Sequence, residues 1–322
     1  MIELAEFLPL LDFPPVRSVH GRASIADIFP AGKRCGIYIL HFLNGEVYAG
    51  QAIDVTRRYV QHSKTHNDIA SISFKQVLKT HLNDEERVAI WELEQRGFHL
   101  RNIIFTSIPK GDSDLDLVMS PEEQQKWLDD LSYQGSCGIR AQDEVLRCKY
   151  HQRFQSFLKR PQAEAIIHVL QSYVQRGVPV PMRSEMSFWG CSCLPSYARP
   201  GITVYSRINI NWQEVFTALT GQGGPIFSFH LALSPLEQIF GNSLERLFEK
   251  HPTLHCTEHF YEPGGHDQLH LEIEGAEFAL RLLEDTGIRR AIRLFNLRLM
   301  QKGPCAYSRY HCMDLADRLI CT

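Results

Sequence analysis

Two short apolar runs stand near the start of the chain, at residues 36–42 and 46–49, and they flank an Asn44-Gly45 step. An Asn-Gly step between β-branched and aromatic residues favours a tight hairpin, because both residue types tolerate a positive φ. Over residues 54–62 the spacing becomes helical, and an aspartate occupies the N-cap position. The pattern predicts a β-hairpin followed by a helix.

Two more elements are predicted before residue 100. Residues 72–78 form a mostly apolar run that is typical of a strand. A helix is expected from the acidic stretch at residues 83–86, since positions 2, 3, 4 and 7 after Glu86 are apolar. This part of the chain is therefore expected to mix strands and helices.

Beyond residue 150, predicted strands and helices mix without a regular βαβ alternation. Strands are predicted at residues 186–193, 202–210, 226–233, 254–260 and 269–273, and helices at residues 162–174, 212–219, 236–248 and 276–298. Such mixing favours an α+β fold over a doubly wound one. We expect residues 151–322 to form a larger α+β domain that recognises a substrate or partner.

The remaining segments are predicted to connect or flank these domains. A chain of 322 residues exceeds the usual size of a single core, so more than one domain is expected. Residues 1–30 are interpreted as an N-terminal arm and residues 109–150 as an acidic helical connector. In the connector, Ser120 and Glu123 have the spacing of a capping box that begins a helix.

The hairpin and the first helix carry four polar side chains of interest. Tyr38 and Tyr48 lie on the paired strands, and Arg58 and His62 share one face of the helix because they are 4 residues apart. A catalyst of phosphodiester hydrolysis must supply positive charge and an activated water, since the charge of the phosphate repels the nucleophile. The four residue types suit that chemistry.

This segment resembles the GIY-YIG nuclease family. The first motif is present as Gly36-Ile37-Tyr38, and the second as Tyr48-Ala49-Gly50, with alanine where isoleucine or valine is usual. The family carries an arginine and often a histidine on the following helix. Arg58 and His62 match them, 10 residues after the second tyrosine and 4 residues further on.

The resemblance covers about residues 33–105 and implies a GIY-YIG-type domain at residues 31–108, with a three-stranded antiparallel sheet flanked by helices. The family also has a metal-binding glutamate after the third strand. Glu86 is assigned to this role because the apolar pattern after it matches the family, and Asn102, 16 residues later, matches an active-site asparagine. The competing acids, in order of preference, are Glu85 and then the pair Glu122 and Glu123.

The resemblance implies a metal-dependent endonuclease in which the charged residues have separate tasks. Glu86 would hold one Mg²⁺ or Mn²⁺, which are hard cations that prefer oxygen ligands. Arg58 would donate two N–H groups to the non-bridging phosphate oxygens, and Lys64 would provide a second phosphate contact.

The two tyrosines have different expected roles. Tyr48 is the preferred general base or water-orienting group. A free phenol has a pKa of about 10 and needs the metal or a partner base to ionise near neutrality, and His62 is a suitable partner. Tyr38 would contact the phosphate or the water, and Asn102 would orient Glu86 or the leaving group. The sequence leaves open which tyrosine ionises.

Composition excludes several other classes. Glycine-rich phosphate loops and GxSxG or GxGxxG motifs are absent from the sequence, so ATP-driven and dinucleotide-dependent roles have no support. No apolar run approaches the roughly 18 to 20 residues that cross a bilayer, and the acidic N-terminus does not resemble a signal peptide.

Nine cysteines without a disulfide framework fit a reducing cytoplasm, so a cytoplasmic protein without a membrane partner is expected. The histidines and cysteines after residue 190 lack a CxxC pair and are interpreted as buried thiols and hydrogen-bonded histidines.

The net charge is −3, yet basic residues concentrate in the candidate catalytic domain. A local basic face binds nucleic acid even on an acidic protein, so DNA is the expected partner. A second copy of the chain or a protein partner is expected to bind through the C-terminal domain. Two alternatives stay open: a non-catalytic nucleic-acid-binding module with the same fold, and a nuclease inhibited by its C-terminal domain.

Overall fold

The chain forms two units, and each contains an antiparallel sheet with helices packed on it. The structure is a computed structural model that describes residues 4–102, 106–107, 113–133, 135, 138, 140–196, 201–241 and 244–320. Two units are separated between residues 110 and 111. Both combine helices with antiparallel strands, which confirms the predicted α+β class. The expected boundary between residues 108 and 109 lies outside the described residues.

The first unit contains a four-stranded sheet of order β1-β4-β2-β3. The strands are β1 (Arg17–Ser18), β2 (Gly36–Phe42), β3 (Val47–Ala52) and β4 (Ile69–Gln76), and the helices are α1 (Leu4–Phe7), α2 (Val55–Thr65) and α3 (Leu82–Gln95). The predicted hairpin is β2 and β3, and Gly45 in its turn has a φ of 85°. Asp54 caps α2 as predicted, because its carboxylate accepts from two backbone N–H groups of the first turn.

The prediction of three strands in this sheet was wrong by one strand. β1 pairs with β4, and it comes from the segment interpreted as an N-terminal arm. A two-residue strand is too short for an alternation of apolar and polar residues to reveal it. Val19, Ile25 and Phe29, which follow β1, are buried in the same core as β2 and β4. This part of the arm therefore belongs to the first unit.

The second unit is built on a six-stranded sheet of order β5-β6-β7-β8-β10-β9. The strands are β5 (Trp189–Cys193), β6 (Val204–Ile210), β7 (Gln213–Thr220), β8 (Pro225–Leu231), β9 (Leu254–Thr257) and β10 (Leu269–Glu274). The helices are α4 (Pro121–Asp129), α5 (Glu144–Leu158), α6 (Ala163–Gly177), α7 (Pro181–Ser184), α8 (Ser234–Phe240), α9 (Glu245–Lys250), α10 (Ala276–Glu284), α11 (Thr286–Gln301) and α12 (Met313–Ile320). In the described part of the chain, no helix has both the length and the apolar character needed to cross a bilayer.

Alternate residues of β8 show which face of this sheet carries the core. Phe227, Phe229 and Leu231 are buried in the main cluster with residues of α6, α11 and α12. Ser228 and His230 lie between them in sequence, so they project from the opposite face. The sheet therefore has one apolar face under helices and one face with polar side chains.

Several single-element predictions in the second unit were wrong. Residues 212–219 were expected to be a helix, but all of them except Trp212 fall on β7, which pairs with β6 and β8. Short apolar runs fit either element, and here strand pairing decides. The helix expected at residues 276–298 is α10 and α11, separated by Asp285, whose carboxylate caps α11. Residues 236–248 form α8 and α9 rather than one helix, and α5 and α12 were not predicted.

Candidate active site

Strands β2 and β3 and helix α2 bring the four predicted polar side chains together. Tyr38 on β2 pairs directly with Gly50 on β3. Tyr48, two residues before Gly50, therefore projects from the same face of the sheet as Tyr38. Helix α2 packs on this face, and it carries Arg58 and His62 one turn apart.

The Tyr38 hydroxyl is the centre of this group. Its oxygen lies 2.7 Å from Nε2 of His62 and 3.3 Å from Nε of Arg58. A guanidinium N–H can only donate, so the phenol oxygen accepts from Arg58, and the hydroxyl shares a second hydrogen bond with the imidazole of His62. Tyr38 and His62 are both buried. The three side chains thus form a hydrogen-bonded chain that runs from Arg58 through Tyr38 to His62.

Tyr48 contacts the same group through its ring. Its ring centroid lies 4.7 Å from that of His62 and 6.1 Å from that of Tyr38. Arg58 interacts with both phenols. Tyr48 is partly exposed whereas Tyr38 is buried. Sequence reasoning expected His62 to partner Tyr48; in the structure that contact is between rings, and the hydrogen bond of His62 is to Tyr38.

Gly50 is required by the position of the two phenols. A Cβ atom at Gly50 would lie 2.5 Å from the hydroxyl oxygen of Tyr38 and 2.8 Å from Cε1 of Tyr48. Both distances are well inside van der Waals contact, so only glycine lets Tyr38 lie across β3. Ala49 is buried and points to the opposite face of the strand. The side chain at position 49 therefore affects packing on that face and does not contact the phenols.

Glu86 on α3 reaches the outer edge of β3. Its carboxylate accepts from the backbone N–H of Gln51 at 3.2 Å and from the side-chain amide of Gln51 at 2.8 Å. The Tyr38 hydroxyl lies against Gly50, which directly precedes Gln51. The Glu86 carboxylate and the Tyr38 phenol therefore contact adjacent residues of β3. Glu86 is buried and acts electrostatically on Tyr38.

Asn102 pairs with the same edge of β3 at Ala49, two residues before Gln51. The backbone N–H of Ala49 donates to its Oδ1 at 3.0 Å, and its Nδ2 donates to the Ala49 carbonyl at 2.6 Å. The backbone of the preceding residues continues this pairing, because the His99 carbonyl accepts from the Val47 N–H at 2.8 Å. Side chains of Asn102 and Glu86 therefore pair with the outward backbone groups of β3. We identify Asn102 as a positioning residue for the strand that carries Tyr48.

The other candidate glutamates are engaged elsewhere. Glu85 forms an ion pair with Lys75 of β4, with 2.9 Å between nitrogen and oxygen. The pair of glutamates on α4 lies in the second unit, where Glu123 forms an ion pair with Arg183 at 2.8 Å. Glu86, by contrast, contacts the strand that carries the second motif.

The basic residues of the first unit are in different situations. Arg34 and Lys75 lie in ion pairs, 3.7 and 2.9 Å from a carboxylate. Arg57 and Lys64 are exposed on α2. Lys64 is two residues beyond His62, which is a rotation of about 200° around the helix, so it projects from a different side. Lys64 therefore points away from the Tyr38 hydroxyl.

Burial sets the protonation of the central pair. Burial and the nearby charges of Arg58 and His66 lower the pKa of His62 to about 4. Burial and the neighbouring Tyr48 raise the pKa of the Tyr38 phenol, while Arg58 opposes this rise. At pH 7, His62 is therefore neutral and Tyr38 is protonated. The site therefore places a neutral phenol, Tyr38, and a neutral imidazole, His62, beside the positive charge of Arg58.

Three further polar residues join the site, although the sequence did not single them out. Gln51 donates to Glu86, Gln61 accepts from Nη1 of Arg58 at 2.9 Å, and the His66 ring stacks 6.0 Å from that of His62. Gln61 and His66 lie three and four residues from their partners, so helical spacing was a usable signal. Gln51 and Glu86 are 35 residues apart, and their contact depends on how α3 packs.

The donor set at Glu86 fits a hard divalent cation. Glu86 offers two carboxylate oxygens, and oxygen is the ligand type that hard divalent cations prefer. Mg²⁺ keeps several waters and needs only one or two protein carboxylates when a substrate phosphate supplies further oxygens.

Comparison of the chain with protein-family models, with curated proteins and with solved structures found no match. Function must therefore be argued from the chemistry of these residues.

Proposed function

We propose that this protein is a metal-dependent endonuclease that hydrolyses phosphodiester bonds in DNA. The observation that carries the proposal is the hydrogen-bonded chain of Arg58, Tyr38 and His62, with Glu86 at the adjacent strand edge. The resemblance of the two motifs to GIY-YIG nucleases points to the same chemistry. Restriction, phage defence, repair and mobile elements are the settings in which such an activity would act.

Arg58 is the proposed phosphate ligand. Its guanidinium has five N–H donors, of which one is directed to Tyr38 and another to Gln61. These two contacts fix the plane of the guanidinium, and Arg58 is exposed on α2. The remaining donors are able to bind two non-bridging oxygens, which places positive charge where the transition state gains negative charge.

We propose that Tyr48 orients the attacking water and that His62 holds the Tyr38 hydroxyl in place. Tyr48 is partly exposed, so its hydroxyl is the one placed to orient an attacking water. His62 is neutral at pH 7 and shares a hydrogen bond with Tyr38, so it holds the phenol hydroxyl beside the guanidinium of Arg58. A Mg²⁺ or Mn²⁺ ion held by Glu86 would supply positive charge to the phosphoryl group and lower the pKa of a bound water.

A second candidate is a non-catalytic DNA-binding module. One observation favours it: Glu86 and Asn102 both pair with groups of β3, so each has a structural use that does not require catalysis. In such a module, Arg58 and Lys64 would hold phosphates and no bond would be cleaved.

A cleavage assay tests the proposal. Supercoiled plasmid, linear duplex and single-stranded DNA would each be incubated with the full-length protein and Mg²⁺ or Mn²⁺. We expect nicking or cleavage that chelation abolishes and that Arg58→Ala lowers by about 100-fold or more. Arg57→Ala is the matched control, because Arg57 is the adjacent and largely exposed arginine, and it is expected to cleave at nearly the wild-type rate.

Binding measurements on the same proteins separate the two candidates. DNA that is bound by the wild-type protein but never cut, with either ion and every substrate form, would favour the module and contradict the nuclease. Equal losses of cleavage in Arg57→Ala and Arg58→Ala would also count against the assigned role of Arg58.

A further inference from the structure

Three histidines converge on the polar face of the sheet in the second unit. His230 on β8 and His270 on β10 are directly opposite each other in adjacent antiparallel strands. His259 follows β9, and its Nδ1 lies 3.4 Å from Nε2 of His230. One ring nitrogen from each histidine lies within 4.8 Å of the other two. The sequence pattern indicated hydrogen-bonded histidines, whereas the structure brings the three rings together.

The nitrogen separations fit the ligand spacing of a tetrahedral metal ion. For a metal–nitrogen distance of about 2.0 to 2.1 Å, two ligands at the tetrahedral angle lie about 3.3 Å apart. His230 and His259 already have nearly this spacing. The third nitrogen, from His270, lies within 4.8 Å of these two. Imidazole nitrogen is a preferred ligand of Zn²⁺ and of neighbouring transition metals, and it is a poor match for Mg²⁺.

Outer hydrogen bonds hold the two buried rings. The ring nitrogens of His270 face the hydroxyls of Ser228, at 2.6 Å, and of Thr257. The His230 ring interacts with the backbones of His259 and Glu214. Both nitrogens of His270 are thus engaged, so an ion would replace one of these two hydrogen bonds and leave the other as its outer partner. Metal-binding histidines are oriented in this way in proteins.

The cluster faces a cavity. The three histidines line a space of about 320 Å³ together with Arg207, Glu214 and Glu272. Three protein ligands with a fourth position open to solvent or substrate are typical of catalytic rather than structural zinc sites. We propose that His230, His259 and His270 bind a transition metal ion of the Zn²⁺ class, with its fourth coordination position open to this cavity. The site is separate from Glu86, which lies in the other unit and offers oxygen ligands.

Cobalt titration tests this site directly. The full-length protein would be stripped of metal with a chelator and titrated with Co²⁺, and then with Zn²⁺ as a competitor. We expect saturation at a single equivalent, a visible absorption spectrum typical of four-coordinate cobalt with nitrogen and oxygen ligands, and displacement by Zn²⁺. His259→Ala and His270→Asn should each weaken binding by more than about tenfold.

Two variants serve as controls. His255→Ala replaces an exposed histidine on the neighbouring strand β9, and Glu86→Gln alters the candidate nuclease site. Both should develop the same four-coordinate cobalt spectrum as the wild type, so a failure of the nuclease proposal does not affect this result. His259 is itself exposed, so its replacement leaves the core intact, and the thermal unfolding of the metal-free protein checks this.

Three outcomes would overturn the proposal. The first is a wild-type protein with no saturable cobalt spectrum. The second is a His259→Ala protein that binds as tightly as the wild type. The third is a near-ultraviolet charge-transfer band from a thiolate ligand, which would assign the ion to cysteines instead.

Discussion

The hydroxyl oxygen of Tyr38 and Nε2 of His62 lie 2.7 Å apart inside the first unit, although the two residues are 24 positions apart in the chain. Both side chains are buried, so a partner left without its hydrogen bond would be costly. Arg58 donates to the same oxygen, and this couples the exposed guanidinium to the buried imidazole. Replacing any one of these three residues should therefore alter the hydrogen bonding of the other two.

Tyr38→Phe removes the shared hydroxyl and keeps the ring. We expect the free energy of unfolding to fall by about 1 to 3 kcal/mol, because His62 loses its partner, and DNA cleavage to fall about tenfold or more. Urea denaturation and cleavage rates measure the two effects. Tyr59→Phe is the matched control, since Tyr59 is a buried tyrosine on α2 that donates to backbone carbonyls. It should lose similar stability and retain cleavage, and a Tyr38→Phe protein as active as this control would contradict the assignment.

The lowered pKa of His62 predicts a pH dependence of stability. Its pKa is about 4 in the folded protein, against an ordinary value of about 6.5 in the unfolded chain. Between these values the unfolded chain binds more protons, so His62 makes stability fall as the pH drops from about 6.5 to about 4. One proton limits the slope to about 1.4 kcal/mol per pH unit.

The variant His62→Gln isolates this contribution. The free energy of unfolding of the wild type should decrease more steeply than that of His62→Gln between about pH 6.5 and pH 4, and the two should run parallel above pH 7. Denaturant titrations across this range provide the measurement. Parallel curves throughout would mean that the environment of His62 is not the one described.

Gly50→Ala tests the close approach of Tyr38 to β3. The added methyl group would lie 2.5 Å from the Tyr38 hydroxyl oxygen, so the phenol must move. We expect a loss of about 1 to 3 kcal/mol of stability and a marked loss of cleavage. Gly223→Ala adds a methyl group whose nearest contact is 3.6 Å away, and it should change stability by less than about 0.5 kcal/mol. Similar behaviour of the two variants would argue against the packing of Tyr38 on β3.

Asn102→Ala separates a positioning role from a chemical one. It removes both hydrogen bonds to the backbone of Ala49, so the edge of β3 should loosen. We expect faster hydrogen exchange at the Ala49 amide, measured by NMR, together with a loss of stability of about 1 to 3 kcal/mol. Reduced cleavage with unchanged exchange at Ala49 would instead indicate direct participation of Asn102 in the reaction.

The hairpin and the cap of α2 could be predicted from the sequence because their signals are local. Asn44 and Gly45 mark the turn, and Asp54 marks the beginning of the helix. β1 and β7 could not be predicted, since their formation depends on strands distant in sequence. The break between α10 and α11 was missed because Asp285 is a single residue in a region with a continuous helical pattern.

The candidate site was predictable to a similar extent. Tyr38, Tyr48, Arg58 and His62 lie within one hairpin and helix, so spacing alone indicated that they come together. Which tyrosine bonds to His62 could not be predicted, because that depends on how Tyr38 packs over Gly50.

The histidine cluster shows the same limit more strongly. His230 and His270 are separated by 40 positions and become neighbours only through the pairing of β8 with β10. The usable signal was alternation on each strand, where His230 follows Ser228 and Glu272 follows His270 on the polar face. That signal becomes informative only when the strand order is known.

The most direct test of the nuclease proposal is the rate of Mg²⁺- or Mn²⁺-dependent plasmid nicking by Glu86→Gln, measured beside Glu85→Gln. Glutamine has nearly the same size as glutamate and keeps an oxygen for the N–H of Gln51, but it lacks the charge that would hold the cation. We predict a loss of about 100-fold or more in Glu86→Gln with DNA affinity nearly unchanged, and near wild-type nicking in Glu85→Gln. Nicking by Glu86→Gln at the wild-type rate, or binding of DNA by the wild-type protein without any nicking, would contradict the account.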